Sequence, residues 1–186
     1  MRVQDRDTTS PLDVISVADA KTYMRVDHSA DDALIEDLIV AANAQVEAMA
    51  NTKVRALSAY GYLDDFHNSD FPVGPVVSIG LVEYKASGDT YTTLDTSKYW
   101  YSLTSHPARI EFDAYPDLED EALDRVRITF EYGFDNVNHM RPSQYKQAVL
   151  ILVTHLYENR SPVVMGATPK AVPMSLEALV STFRQL

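Results

Sequence analysis

Residues 142–160 read PSQYKQAVLILVTHLYENR, and the middle of that stretch decides the fold. Ala148, Val149, Leu150, Ile151, Leu152 and Val153 follow one another without a polar break, so a helix through them has no solvated face for almost two turns. Such a helix must be covered all round. The run is far shorter than the roughly 20 apolar residues that span a bilayer, so the expected cover is protein and not lipid. Pro142 and Ser143 suit a helix start, and Asn159, Arg160, Ser161 and Pro162 supply a stop. The stretch reads as a central core helix. Beyond it, SPVVMGATPKAVP (161–173) carries three prolines and no core of its own, an extended apolar arm suited to lying on a neighbour.

Working outward, residues 1–15 are polar and mixed in charge and read as a flexible N-terminal arm. Ser16 with Asp19 forms a capping-box pattern ahead of a short helix on which Val17, Ala20, Tyr23 and Met24 share a face. Ser29 is the expected cap of a longer helix, with Asp31 and Asp32 at its positive end. Leu34, Ile35, Leu38, Ile39, Ala42, Val46 and Met49 form its apolar stripe, while Glu36, Asp37, Asn43 and Glu47 fall outside it. From about Arg55 to Gly133 the period becomes twofold. Strands are expected at Ala56–Leu63, Val76–Tyr84, Thr90–Leu94, Lys98–Leu103, Ala108–Phe112 and Arg125–Tyr132, the last with Val126, Ile128, Phe130 and Tyr132 on its buried side. A closing helix from Ser175 sets Leu176, Leu179, Val180 and Phe183 on one side and is too short to stand alone. The fold class expected is α+β: a single domain over 1–186, with two helices in 16–54, an inserted antiparallel β region in 55–133, the core helix in 142–160, and a docking arm and helix in 161–186.

Composition narrows function. The chain is 46% hydrophobic and 23% charged, with 16 Lys plus Arg against 27 Asp plus Glu, a formal charge of −11. Phosphate binding needs cations that dominate somewhere, and the densest charge cluster is acidic: Glu111, Asp113, Asp117, Glu119, Asp120, Glu121 and Asp124. It reads as a solvated acidic loop or, more sharply, as a wall that repels nucleic acid. The absence of cysteine removes disulfides, thiolate-ligated zinc and thiol catalysis, and suits a reducing cytoplasm. The N-terminal residues carry no secretory or membrane-anchor pattern.

No catalytic constellation assembles from the sequence. Ser143-Gln144-Tyr145-Lys146 spells S-x-x-K but has no S-D-N or K-T-G partner, and Ser143 is better explained as a helix cap. His155 and Glu158 share a helix face without a second histidine, which favours a structural role over a metal site. His28, His67, His106 and His139 form no spaced set. Asp64, Asp65 and Asp70 around Phe66-His67-Asn68 lack the spacing and central glycine of a calcium loop and read as a turn. Glycine patterns that cradle nucleotides are missing. Tyr99, Trp100 and Tyr101 lack accompanying cations and read as sheet packing or a protein contact. No catalytic, cofactor or metal residues are assigned.

Four segments, in order, resemble a known family: Val17-Ala18-Asp19-Ala20-Lys21 to Met24-Arg25-Val26, Asp31-Asp32-Ala33-Leu34-Ile35-Glu36-Asp37-Leu38-Ile39, Pro142-Ser143-Gln144-Tyr145-Lys146-Gln147-Ala148 to Tyr157-Glu158-Asn159-Arg160, and Leu176-Glu177-Ala178-Leu179. The family is that of the head-tail connector, or adaptor, proteins of tailed bacteriophages and prophages. Thr129-Phe130-Glu131-Tyr132-Gly133-Phe134 is similar to its strand phrase, with Tyr132 where a small residue is usual. Tyr145 likewise stands where an aliphatic is usual. The resemblance implies a non-enzymatic virion protein of the head-tail neck, assembled in the host bacterial cytoplasm. It implies a homo-oligomeric ring, commonly dodecameric, that docks beneath the portal protein, receives downstream neck or tail proteins, and lets DNA pass without specific binding. On that reading Val163, Val164, Met165, Val172, Leu176, Leu179, Val180 and Phe183 are expected at an oligomer or portal interface, and Glu111, Asp113, Asp117, Glu119, Asp120 and Glu121 along the channel. The alternatives are another neck or tail-completion subunit, a small hydrolase or a nucleic-acid-binding factor.

Overall fold

The computed structural model describes residues 1–6, 14–113, 116–118, 123–135, 143–159 and 174–184. They fall into two compact bodies. One contains Ser10–Val54 with Arg141–Arg184, and the other Met1–Thr9 with Arg55–Met140 and the last two residues.

The helical body has four helices: α1 (Val17–Met24), α2 (Asp32–Ala50), α3 (Ser143–Glu158) and α4 (Met174–Ser181). The cap expected for α1 is present in full. The Ser16 hydroxyl accepts from the Asp19 backbone N–H at 3.1 Å and the Asp19 carboxylate accepts from the Ser16 N–H at 3.2 Å. Ile15 before the cap and Ala20 in the first turn are both buried, the positions a hydrophobic staple uses. Only Ala20 of the expected α1 face is fully buried; Tyr23 stays exposed, its hydroxyl accepting from Gln147 Nε2 at 2.8 Å. The α2 start differs from expectation. Asp31, not Ser29, holds the cap position, and its carboxylate instead accepts from the Tyr157 hydroxyl, while the Ser29 carbonyl accepts from Asp32 N–H. Asn51 ends α2 at φ 53°, a left-handed conformation that asparagine tolerates better than most side chains.

The α2 stripe and the α3 run meet as their patterns require. Ile35, Ile39, Ala42 and Val46 are fully buried, as are Ala148, Val149, Leu152 and Val153, each large aliphatic among them contributing about 1.5–3 kcal/mol. Helices α1, α2 and α4 all pack on α3 and bury its apolar middle apart from Ile151, which is half-buried. Asn43, expected outside the stripe, is buried at 5% exposure because its Oδ1 accepts from the hydroxyl of fully buried Tyr145 at 2.9 Å.

The β body holds β1 (Arg2–Asp5), β2 (Leu57–Leu63), β3 (Ser69–Asp70), β4 (Val76–Lys85), β5 (Tyr91–Thr93), β6 (Tyr99–Ser102), β7 (Arg109–Phe112) and β8 (Val126–Tyr132). Five strands form an antiparallel sheet in the order β1-β2-β8-β4-β5, and three form a second in the order β3-β7-β6. Central β8 pairs Tyr132 with Leu57 and Val126 with Leu63 on one side, and meets β4 through two register shifts on the other. Ala56 N–H donates to the Phe134 carbonyl at 2.9 Å, so the chain enters and leaves this sheet at adjacent points. Both sheets feed one core, where Phe71 meets Phe130 with centroids 4.8 Å apart and Phe66 meets Phe112 at 5.2 Å. Residues 2–5, expected within a flexible arm, are instead an edge strand: Val3 pairs with Gly61, and the Tyr132 hydroxyl donates to Asp5 Oδ1 at 2.7 Å. The two-residue β3 was not expected at all. Gly133 follows β8 at φ 118°, where a side chain would be strained, and its N–H donates to the Pro75 carbonyl at 2.8 Å.

Two stability experiments follow from these contacts. Tyr145→Phe leaves Asn43 Oδ1 buried without that donor and is expected to cost about 1–3 kcal/mol, whereas Asn43→Leu combined with Tyr145→Phe costs less than the two singles added; urea unfolding of the four proteins measures the coupling. The Asp19 carboxyl is held below its usual value of 3.8, first by the Ser16 backbone N–H and then by the Lys146 side chain and the Ser16 hydroxyl. Its folded value lies below its unfolded value, so its stabilisation is present above about pH 4 and lost as pH falls through the folded value. Asp19→Asn should therefore show a shallower loss of stability between about pH 4 and pH 2 than the parent protein in thermal melts.

Candidate assembly surfaces

The residues expected at an interface divide into two groups. Val163, Val164, Met165 and Val172 lie outside the described residues. The α4 residues are seated in their own body: Leu176, Val180 and Phe183 are buried, Leu179 is half-buried, and the Phe183 ring lies 5.7 Å from that of Tyr145. The amphipathic pattern of α4 is thus satisfied on α3 and α2, leaving Glu177, Ala178 and Ser181 outward.

Of the expected acidic set, Glu119, Asp120 and Glu121 also lie outside the described residues. Asp113 and Asp117 are exposed, while Glu111 is half-buried and accepts from the Trp100 indole N–H at 3.2 Å. Tyr99 of the aromatic triplet is buried in the β core, which raises its phenol pKa by desolvation, whereas Trp100 and Tyr101 are about half exposed. The triplet therefore packs through one ring and presents two.

The wet face of the five-stranded sheet carries an interleaving of cations and rings that the sequence reading did not single out. Arg127 lies 4.0 Å from the Tyr91 ring and 4.8 Å from the Tyr60 ring, Arg6 lies 4.7 Å from Tyr60, and Arg2 and Lys85 stand over Tyr62 and Tyr91. The signal was present in alternation: Tyr60 and Tyr62 on β2 and Arg127 on β8 all occupy outward positions, and cross-strand register brings them together. Much of this charge is already matched. Arg127 pairs with Glu83 at 2.9 Å, Lys85 with Asp89 at 2.9 Å, and Arg2 with Asp124. A surface so neutralised offers phosphates little sequence-independent attraction.

The other chemistry-bearing residues are accounted for by local structure. Lys146 of the S-x-x-K spelling pairs with Asp19 at 3.2 Å. Asp70 is bridged by Arg109 at 2.7 Å, which lowers its carboxyl pKa and raises that of the guanidinium, and Asp65 accepts from Phe66 N–H at 2.7 Å. Among the described residues His155 and Glu158 meet no further metal-ligating side chain, and Asn159 Nδ2 donates to the His155 carbonyl at 2.8 Å. His28, His67 and His106 are exposed, and His139 lies outside the described residues. Among the described residues no group of three His, Asp or Glu side chains is placed to hold a metal, and no helix is long and apolar enough to cross a membrane.

The described residues define an α+β fold of four helices with antiparallel sheets of five and three strands. Residues 14–84 match the family model of the phage gp6-like head-tail connector proteins. No curated protein matches the sequence. Three solved chains share the fold over the full length of this one and 96% of their own. One belongs to the virion of a native gene transfer agent particle (TM-score 0.77, 22% identity), one to the neck of the native particle computed with C12 symmetry (0.73, 21%), and one to the neck of the empty particle computed with C6 symmetry (0.74, 22%). The family match spans residues 14–84, which hold the first two of the four segments that carry the sequence resemblance, and the three solved chains, at 21–22% identity, show the fold over the full length.

The seating of α4 has a measurable consequence. Leu176→Ala should destabilise the isolated chain by about 2–5 kcal/mol and Phe183→Ala by about 3–5 kcal/mol in urea unfolding at concentrations too low for association. Side chains that served only a neighbouring molecule would leave that midpoint unmoved.

Proposed function

We propose that this protein is the repeating subunit of a ring in the neck of a tailed particle, where it sits beneath the portal, joins capsid to tail and surrounds the path of DNA. Its role on this reading is mechanical and not catalytic. The observation that carries the reading is the whole-chain likeness to chains of neck assemblies, one of them described with C12 symmetry. A cyclic ring requires a heterologous contact, in which one patch of a subunit meets a different patch of the next. The likeness to a chain of a neck computed with C12 symmetry supports a twelvefold copy number.

The physical chemistry is consistent with the role. A conduit must not retain DNA, and each fixed cation along it would add a phosphate-binding term; a chain of net charge −11 whose wet sheet face is largely neutralised avoids that term. The acidic residues Asp113, Asp117 and 119–121 are assigned to the lumen, whereas Glu111, half-buried and holding the Trp100 indole N–H, is assigned to a contact between subunits. The arm residues Val163, Val164, Met165 and Val172 are assigned to contacts with neighbouring subunits or portal. For α4, the outward residues Glu177, Ala178 and Ser181 take the contact role, because its apolar side is already occupied.

Electron microscopy of the purified protein, alone and mixed with the portal of the same particle, tests the reading. Rings with the acidic residues facing the central hole are the expected result. A protein that remains monomeric in both samples, or rings that expose those residues only on the outer wall, would overturn it.

A further inference from the structure

Strand β6 is an outer strand of the three-stranded sheet, and on it Trp100 and Tyr101 are 51% and 47% exposed. Together with Ser105, Pro107, Arg109 and Glu111 they line a groove of about 440 Å³. Its polar rim is already organised: Glu111 holds the Trp100 indole N–H and Asp70 holds Arg109. Trp100 is therefore held in place along the groove by its indole N–H, and the Tyr101 ring is exposed beside it.

We propose that this groove receives the Pro169–Pro173 portion of residues 160–173 from a neighbouring copy of the chain, a docking that rests on the ring reading above. Three observations favour that occupant. The first is chemical kind. Proline-rich segments dock on exposed aromatic side chains, and residues 169–173 carry Pro169 and Pro173 with Lys170 and Val172 between them. The second is charge. The β body that carries the groove contains 17 acidic and 8 basic residues, whereas residues 160–173 contain Arg160 and Lys170 and no carboxylate. Lys170 then has Glu111 at the rim as its counterpart. The third is reach. The segment leaves α3 after Asn159 and returns to α4 at Met174, both in the helical body, and a loop of that length can project roughly 25 Å. A groove on one body and a complementary segment on the other give each subunit two unlike patches, which is what a closed ring needs.

The chain has a single tryptophan, so Trp100 emission reports on this groove alone. A synthetic peptide of residues 160–174 is titrated into the full chain to about 1 mM, because one unlinked segment lacks the effective concentration that a ring confers. The expected result is a saturable blue shift with severalfold weaker quenching by acrylamide, absent for a peptide carrying Pro169→Ala and Val172→Asp and weakened severalfold in the Tyr101→Ala chain. No saturable change, or an equal response to both peptides, overturns the proposal. In assembled rings Trp100 should resist acrylamide, and in a full chain carrying Pro169→Ala and Val172→Asp it should not. Rings whose Trp100 quenches as freely as in dilute protein would remove this docking and keep the ring; a peptide that binds as expected, with no rings in microscopy, would keep the docking and remove the ring.

Discussion

The structure depends on the obligation to cover α3 on every side. An amphipathic helix can rest on one neighbour, but a helix whose middle has no polar face needs several, and α1, α2 and α4 are recruited to it for that reason. This obligation explains why short α1 and α4, neither stable alone in water, are held in place. It also explains why the C-terminal helix folds back on its own body, with Leu176, Val180 and Phe183 turned inward.

Two buried tyrosines, Tyr145 and Tyr132, each carry a hydroxyl to a carbonyl or carboxylate acceptor far away in sequence. Tyr145 enters a fully apolar neighbourhood with a hydroxyl that must find an acceptor, and Asn43 supplies it across 102 residues of chain. Tyr132 extends from the end of β8 to Asp5 and ties the N-terminal strand to the sheet edge. A tyrosine that looks isolated in sequence is thus half of a pair. One buried hydroxyl, Thr52 Oγ1, is left without a partner among the described residues.

These pairs mark where sequence reading stops. The stripe of α2, the apolar run of α3 and the alternation of β2, β4 and β8 were legible because burial imposes a period, and a period is local information. Asn43 was misplaced outside its stripe because its partner lies in another helix. Strand β1, with residues RVQD, has no apolar alternation of its own and exists through pairing with β2, so a polar arm was the natural reading. Strand β3 is too short to leave a pattern. The cap of α2 moved from Ser29 to Asp31, a shift of the size that competing polar residues before a helix allow. Of the surfaces, Trp100 and Tyr101 could be suspected from composition, but their groove depends on the β6–β7 pairing that sets Trp100 opposite Glu111. The Arg–Tyr interleaving needed the register of β2 against β8.

The hydrogen bond between Ala56 and Phe134 bears on how the protein is made. The helical body is split in sequence, and α2 must wait for α3 until the whole stretch Arg55–Met140 has been synthesised. Bringing the two halves together through an unfolded loop of that length would cost about 4 kcal/mol in chain entropy. The β body has no such handicap, since nearly all of its strands are contiguous and are complete before α3 leaves the ribosome. Once folded, it holds its incoming and outgoing strands side by side, so the emerging α3 begins its search already tethered close to the chain that leads back to α2. The inserted sheet thereby serves as a folding clip for the helices that flank it in sequence.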